Sequence, residues 1–213
     1  MPKQLPGNLK EAVAAVARSQ EGYQQTETKK DGAWSRYGTF MGDPSADPWD
    51  AEFVLFTLHY AGALDALAKH PDVPADADTV DWIKQLREKD MLLAVNDYSP
   101  ETGDIVFLSA ESAAGGNSAR AAVVVEGGKD SVRVIGQGTG GNSNQVCEET
   151  CSSHDILFCA VPAPGTGFAK ASDILVKEDK DAKSEEEAEE ESEEKAEEES
   201  EEESDFVTLG NLT

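Results

Sequence analysis

Three cysteines and a histidine toward the C-terminal part of the chain are residue types that zinc binds. Cys147, Cys151, His154 and Cys159 form the pattern C-x3-C-x2-H-x4-C, which departs from the spacings of structural zinc sites. Cys159 also lies in the continuous apolar run 156–161, where cysteine commonly behaves as a small hydrophobe. We therefore predict no metal site, and a disulfide among the three cysteines stays open.

The histidines do not supply an obvious general base. His59 lies nine residues after Asp50 on one predicted helix, so it points to the opposite face, roughly 13 Å along the axis. His70 falls in the polar connection 69–72, and His154 precedes a predicted strand. We expect both to be loop or turn residues, and we expect His59 not to pair with Asp50.

Two short motifs suggest a family. Residues 48–54 read Pro-Trp-Asp-Ala-Glu-Phe-Val and resemble the Pro-Trp-Cys-Ala-x-Phe-Val segment of the CHAP family of cysteine, histidine-dependent amidohydrolases and peptidases. Residues 100–107 resemble the family's Pro-x-x-Gly-Asp-Ile-Val-Phe strand entry, which is the most specific match. The resemblance runs from about Glu11 to Pro162 and implies a papain-like fold. Asp50 then stands at the nucleophile position.

The resemblance also implies that the other two catalytic positions are changed. The stretch 120–124 is similar to the family's His-Val-Gly-Ile-Val, so Arg120 stands at the histidine position. The third polar residue has become Gly136, or Gln137 if the register shifts by one. A cysteine hydrolase needs a thiolate beside an imidazole, whereas arginine stays protonated and cannot act as an acid or base.

These losses predict a pseudoenzyme that keeps a groove and binds without cutting. The groove candidates are Trp49, Asp50, Arg120 and Gln137, and the opposite charges of Asp50 and Arg120 predict an ion pair across the old site. The expected partner is a cell-wall peptide or glycan-peptide, with no cofactor, and the protein is expected to be a monomer or part of a larger chain. The alternative is an active peptidoglycan amidase or endopeptidase with a displaced nucleophile.

Hydrophobic patterning predicts an α+β fold. Helices are expected over 9–21, behind an Asn8 cap, over the nearly all-round apolar stretch 53–61, and over 80–86. Strands are expected over 105–108, 121–126, 131–136, 145–148 and 155–161, with the second and third joined as a hairpin at 127–129. This order predicts N-terminal helices packed on an antiparallel sheet of about five strands.

The chain of 213 residues has a net charge of −25, and its acidic residues are concentrated toward the C-terminus. Residues 177–205 carry 18 acidic and 4 basic side chains, and from 184 to 204 a Ser or Ala recurs every fourth residue. This pattern predicts a disordered, self-repelling spacer. We predict a domain over 1–168, an acidic linker over 169–205 and the start of a further module over 206–213. The remaining sequence is also acidic, which disfavours nucleic acid and anionic lipid partners.

The hydrophobic pattern of the sequence and the CHAP resemblance predict different localisations. No secretory signal is visible at the start, and no apolar run approaches the length of a membrane span. If the chain is complete, this predicts a cytoplasmic protein without membrane insertion. The CHAP resemblance implies instead an extracellular position at a bacterial cell surface.

Overall fold

The described part of the computed structural model places four α-helices before its main sheet. It covers residues 8–28, 32–43, 48–64, 79–111, 117–138, 142–165 and 167–176. The four helices before the sheet are α1 (Leu9–Ser19), α2 (Arg36–Met41), α3 (Asp50–Ala61) and α4 (Thr79–Glu88). A small hairpin of β1 (Thr26–Thr28) and β2 (Gly32–Trp34) lies between α1 and α2 in the chain.

The main sheet has five antiparallel strands. They are β3 (Ile105–Glu111), β4 (Asn117–Glu126), β5 (Ser131–Gln137), β6 (Val146–Ser152) and β7 (Ile156–Ala160), in the spatial order β6-β5-β4-β3-β7. A second small hairpin follows, made of β8 (Pro162–Ala163) and β9 (Gly167–Phe168). The predicted α+β class, the antiparallel five-stranded sheet and the β4–β5 hairpin are confirmed.

The two edge strands of the sheet are joined by only three residues. Strands β6 and β7 lie at opposite edges, yet a 3-10 turn at Ser153–Asp155 connects them. Four steps between strands of a flat sheet would span about 19 Å, whereas the chain from residue 152 to residue 156 reaches at most about 14 Å. The sheet must therefore curl so that its edges approach each other at this end.

One face of the sheet carries the core that the helices cover. Alternate residues of β3, β4 and β5 share a buried cluster with side chains of α1, α3 and α4, and these strand residues are Ile105, Phe107, Ala121, Val123, Val125 and Ile135. The side chains between them are buried on the opposite face, including Val106, Leu108, Ala122, Val124 and Val134. Both faces of the curled sheet are thus apolar, so the strands lack the alternation of a sheet with one wet face.

Helix ends follow local chemistry. Asn8 accepts a hydrogen bond from the Lys10 backbone N–H and starts α1, which ends at Ser19, two residues before the predicted end at 21. Helix α3 stops where Gly62 adopts a left-handed conformation with φ of 86°. Nine of its twelve residues are buried, which confirms the predicted central helix.

All of these elements belong to Met1–Ala171, the first of two units into which the chain divides, and the second is Ser172–Thr213. Most of the predicted acidic linker, 169–205, and all of the predicted stub, 206–213, fall outside the described residues. The predicted disorder of this segment and the predicted boundary at residue 168 stay predictions. Among the described residues, no helix is long and apolar enough to cross a membrane.

Candidate functional site

Asp50 is the first residue of α3 and is buried, with 2% of its surface exposed. Its Oδ2 accepts a hydrogen bond from the Ala121 backbone N–H at 2.6 Å and another from the Thr79 hydroxyl at 2.8 Å. Burial raises the pKa of Asp50, and these two hydrogen bonds oppose that rise. One carboxyl group thus connects the starts of α3 and α4 with strand β4.

Trp49 and Gln137 lie beside Asp50. The Trp49 backbone N–H donates to Oε1 of Gln137 at 2.7 Å, and Nε2 of Gln137 donates to the Ser143 carbonyl at 2.7 Å. The Trp49 ring stacks on Tyr37 with centroids 5.2 Å apart. Trp49, Asp50 and Gln137 are all buried, so these three groove candidates form a packed contact between α3 and β5 rather than an open surface.

Arg120 does not meet Asp50, and the predicted ion pair is wrong. Its guanidinium pairs with Glu149 at 2.6 Å and donates to the Gln137 carbonyl at 3.2 Å. Ala121 belongs to the helix-covered cluster, so Arg120, the adjacent residue, projects from the other face of the sheet. A shift of one residue along a strand exchanges its faces, and Ala121 is the residue that faces Asp50.

The same alternation separates the two candidates for the third position. Gly136 lies on the face of Ala122, because a Cβ added to Gly136 would come within 3.2 Å of the Ala122 Cβ. Gln137 projects to the helix side and holds the Trp49 backbone. Of the two alternatives, Gln137 is the one whose side chain contacts the start of α3.

The described histidines have other partners than Asp50. His59 lies with Nδ1 3.1 Å from the Leu64 carbonyl and packs on the Phe40 and Tyr60 rings. His154 sits in the turn between β6 and β7 as expected, with Nδ1 3.3 Å from the Ser152 hydroxyl. His70 lies outside the described residues.

The surroundings of the three cysteines disfavour the thiolate form. All three are free thiols, and Cys159 is fully buried, as predicted for a small hydrophobe. Burial, assisted by Glu149, raises the pKa of Cys147 to about 11, and burial raises the pKa of Cys159 to about 12. Burial raises the pKa of Cys151 as well. Among the described residues, no group of three or more His, Cys, Asp or Glu side chains could hold a metal ion.

A buried carboxyl group in the first turn of α3 was missed by the sequence reasoning. Glu52 is 3% exposed, and its Oε2 has no hydrogen-bond partner among the described residues. Burial raises the pKa of Glu52 to about 7, and the nearby charges of Asp50 and Asp43 add to the rise. The signal was present in the sequence, because this glutamate interrupts an otherwise nearly continuous apolar helix.

A second polar cluster explains the Gly-Asp motif at the entry to β3. Asp104 is fully buried, accepts a hydrogen bond from the Tyr98 hydroxyl at 2.6 Å and pairs with Lys10 at 2.9 Å. Gly103 has φ of 94°, and a Cβ there would lie 2.2 Å from the Lys10 carbonyl oxygen. The motif therefore docks α1 against the start of β3, which is a structural role.

Comparison with protein-family models found no match, and a search of curated proteins found no matching relative.

Proposed function

We propose that the unit Met1–Ala171 is a non-catalytic CHAP-like module with a papain-like arrangement, which binds or scaffolds at a bacterial cell surface. The order of elements supports this proposal, with a central helix followed by an antiparallel sheet. The contacts of the helix start support it further, since Asp50 at the start of α3 accepts a hydrogen bond from the Ala121 backbone on β4, and Gln137 on β5 accepts one from the Trp49 backbone.

The observation that carries the proposal is the bonding of Asp50. Its Oδ2 is buried and occupied by the Ala121 N–H and the Thr79 hydroxyl. A covalent mechanism at this point needs an accessible nucleophile with an adjacent base. Asp50 is inaccessible, and the methyl group of Ala121 can neither take nor return a proton. The site holds the fold together where the ancestral chemistry would occur.

The alternative of a hydrolase with a displaced nucleophile has less support. A displaced cysteine would need a pKa near or below neutrality, whereas burial raises the pKa of all three cysteines. The thiol of Cys151 lies 3.7 Å from Arg120, but arginine cannot serve as its base. We propose no cofactor, and we propose a cell-wall peptide or glycan-peptide as the partner.

The test has a catalytic arm. Full-length protein is incubated with purified peptidoglycan and with peptide amides, and we expect no release above a Cys147→Ala, Cys151→Ala, Cys159→Ala control. Release by the wild type that disappears in the control would overturn the proposal.

The binding arm is independent of the catalytic one. The protein is sedimented with insoluble peptidoglycan, and with chitin as the matched control that lacks the peptide. We expect retention on peptidoglycan alone. Equal retention on both would assign binding to the glycan without the peptide, and no retention on either would overturn the cell-wall partner.

A further inference from the structure

Glu52 carries a buried carboxyl group whose hydrogen bond with its own backbone N–H only partly offsets its burial. It lies in the first turn of α3, two residues after Asp50. Its Oε2 is buried without a hydrogen-bond partner among the described residues. An ionised carboxylate in such a place loses its hydration and gains little in return, whereas a protonated acid is nearly apolar.

Among the residues that the structure describes around α3, no cation neutralises Glu52. The elements that pack on α3 are α1, α2, β4 and β5, and the hydrogen bond from Thr79 adds α4. Their cations have other partners: Lys10 with Glu101 and Asp104, Arg18 with Glu148, Arg36 with the Tyr23 ring, Lys84 with Asp81, Arg87 with the Phe158 ring, Arg120 with Glu149, and Arg133 with Glu126 and Glu148.

The remaining titratable groups on these elements are acidic except for His59. They are Glu11 on α1, Tyr37 on α2, His59 and Tyr60 on α3 itself, Asp81 and Glu88 on α4, and Glu126 on β4. His59 is held against the Leu64 carbonyl near the far end of α3. The neighbouring ionisable groups that act on Glu52 are the carboxyls of Asp50 and Asp43, and both raise its pKa.

We propose that the first turn of α3 is a proton-operated switch in which protonated Glu52 stays packed and loss of its proton to solvent drives the carboxylate outward. Opening this turn also loosens the hydrogen bonds that Asp50 makes to Thr79 and Ala121. Acidification therefore tightens the junction of α3, α4 and β4, and neutral to alkaline conditions loosen it. The switch is independent of whether the module binds a cell wall.

The direction follows from linkage. The pKa of Glu52 is about 7 in the packed state and 4.5 at its ordinary value, so the packed state binds more protons between these limits. Its stability is greatest below the ordinary value and falls as the pH rises toward 7, after which it levels off. A difference of this size changes the opening equilibrium by roughly 100-fold between pH 5 and pH 8.

Amide hydrogen exchange of full-length protein measures this opening. The Phe53 amide, which bonds to the Trp49 carbonyl at 3.0 Å, reports on the first turn. Its protection factor, corrected for intrinsic exchange, should fall by roughly 100-fold from pH 5 to pH 8. In Glu52→Gln, a neutral isostere of the protonated acid, the fall should disappear, and the exposed control Glu88→Gln should behave like the wild type.

Two results overturn the proposal. One is an equal fall of protection in the wild type and in Glu52→Gln. The other, which needs no variant to fold, comes from NMR titration of the wild-type protein with 13C-labelled glutamate carboxyls. A Glu52 midpoint between pH 6 and 8 supports the switch, and a midpoint near the ordinary glutamate value excludes it.

Discussion

Replacing Gly103 with alanine tests how the Gly-Asp motif docks α1. An added Cβ would lie 2.2, 2.5 and 2.6 Å from the O, C and Cα atoms of Lys10. These atoms belong to the backbone of a helix, so no side-chain rotation can relieve the overlap. Either α1 or the entry to β3 must move, and the Lys10–Asp104 ion pair moves with it.

The magnitude has two parts. The left-handed φ of 94° at Gly103 costs an alanine about 1–2 kcal/mol. The overlap with the Lys10 backbone adds about 1–3 kcal/mol as in other overpacked sites. We therefore expect Gly103→Ala to lower the free energy of unfolding by about 2–5 kcal/mol.

Gly22 provides a matched control for the strain alone. Its φ is 80°, and no atom lies within 4 Å of an added Cβ, so Gly22→Ala should cost only about 1–2 kcal/mol. Urea unfolding followed by far-UV circular dichroism gives both free energies if the m-values stay constant. Equal costs for the two variants would refute the close approach of Gly103 to α1.

Three further predictions concern the polar clusters. The Cys147 thiol should react with iodoacetamide at pH 7 more slowly than free cysteine, since its pKa is raised to about 11; rapid modification located by mass spectrometry would contradict this. A double-mutant cycle of Asp50→Asn and Thr79→Val should give a coupling of about 1 kcal/mol in urea unfolding, and no coupling would argue against their hydrogen bond. Lys10→Met should lower the free energy of unfolding by up to about 3 kcal/mol at pH 8 and by less at pH 4, where the buried Asp104 carboxyl can take up a proton. An equal loss of stability at both pH values would disprove the pairing of Lys10 with Asp104.

The long elements were predictable because their patterns are strong. Helix α3 follows from an apolar surface nearly all round, and β4 and β5 follow from apolar runs on either side of a glycine turn. The elements that were missed are short: α2 has six residues, and β1, β2, β8 and β9 have two or three each. Segments of this length carry no measurable periodicity and depend on tertiary contacts.

The site was predicted only in part, for a physical reason. A strand with one wet face shows which side each residue takes, but residues 121–125 are all buried. Without alternation, the sequence did not distinguish Arg120 from Ala121 as the residue facing Asp50. Gln137 was one of the two alternatives for the third position, and its side chain does contact Trp49. Oε2 of Glu52 lacks a hydrogen-bond partner among the described residues because of how α3 packs, which the sequence does not show.

The three-residue link between β6 and β7 affects how the chain acquires its sheet. Strand β7 completes the sheet by pairing with β3, the earliest of the five strands in the chain. During synthesis, the backbone N–H and C=O groups on that side of β3 therefore stay without their strand partner until residue 160 has been made. Nascent chains halted before this point carry an open sheet edge, the feature through which unfinished β-proteins associate with one another.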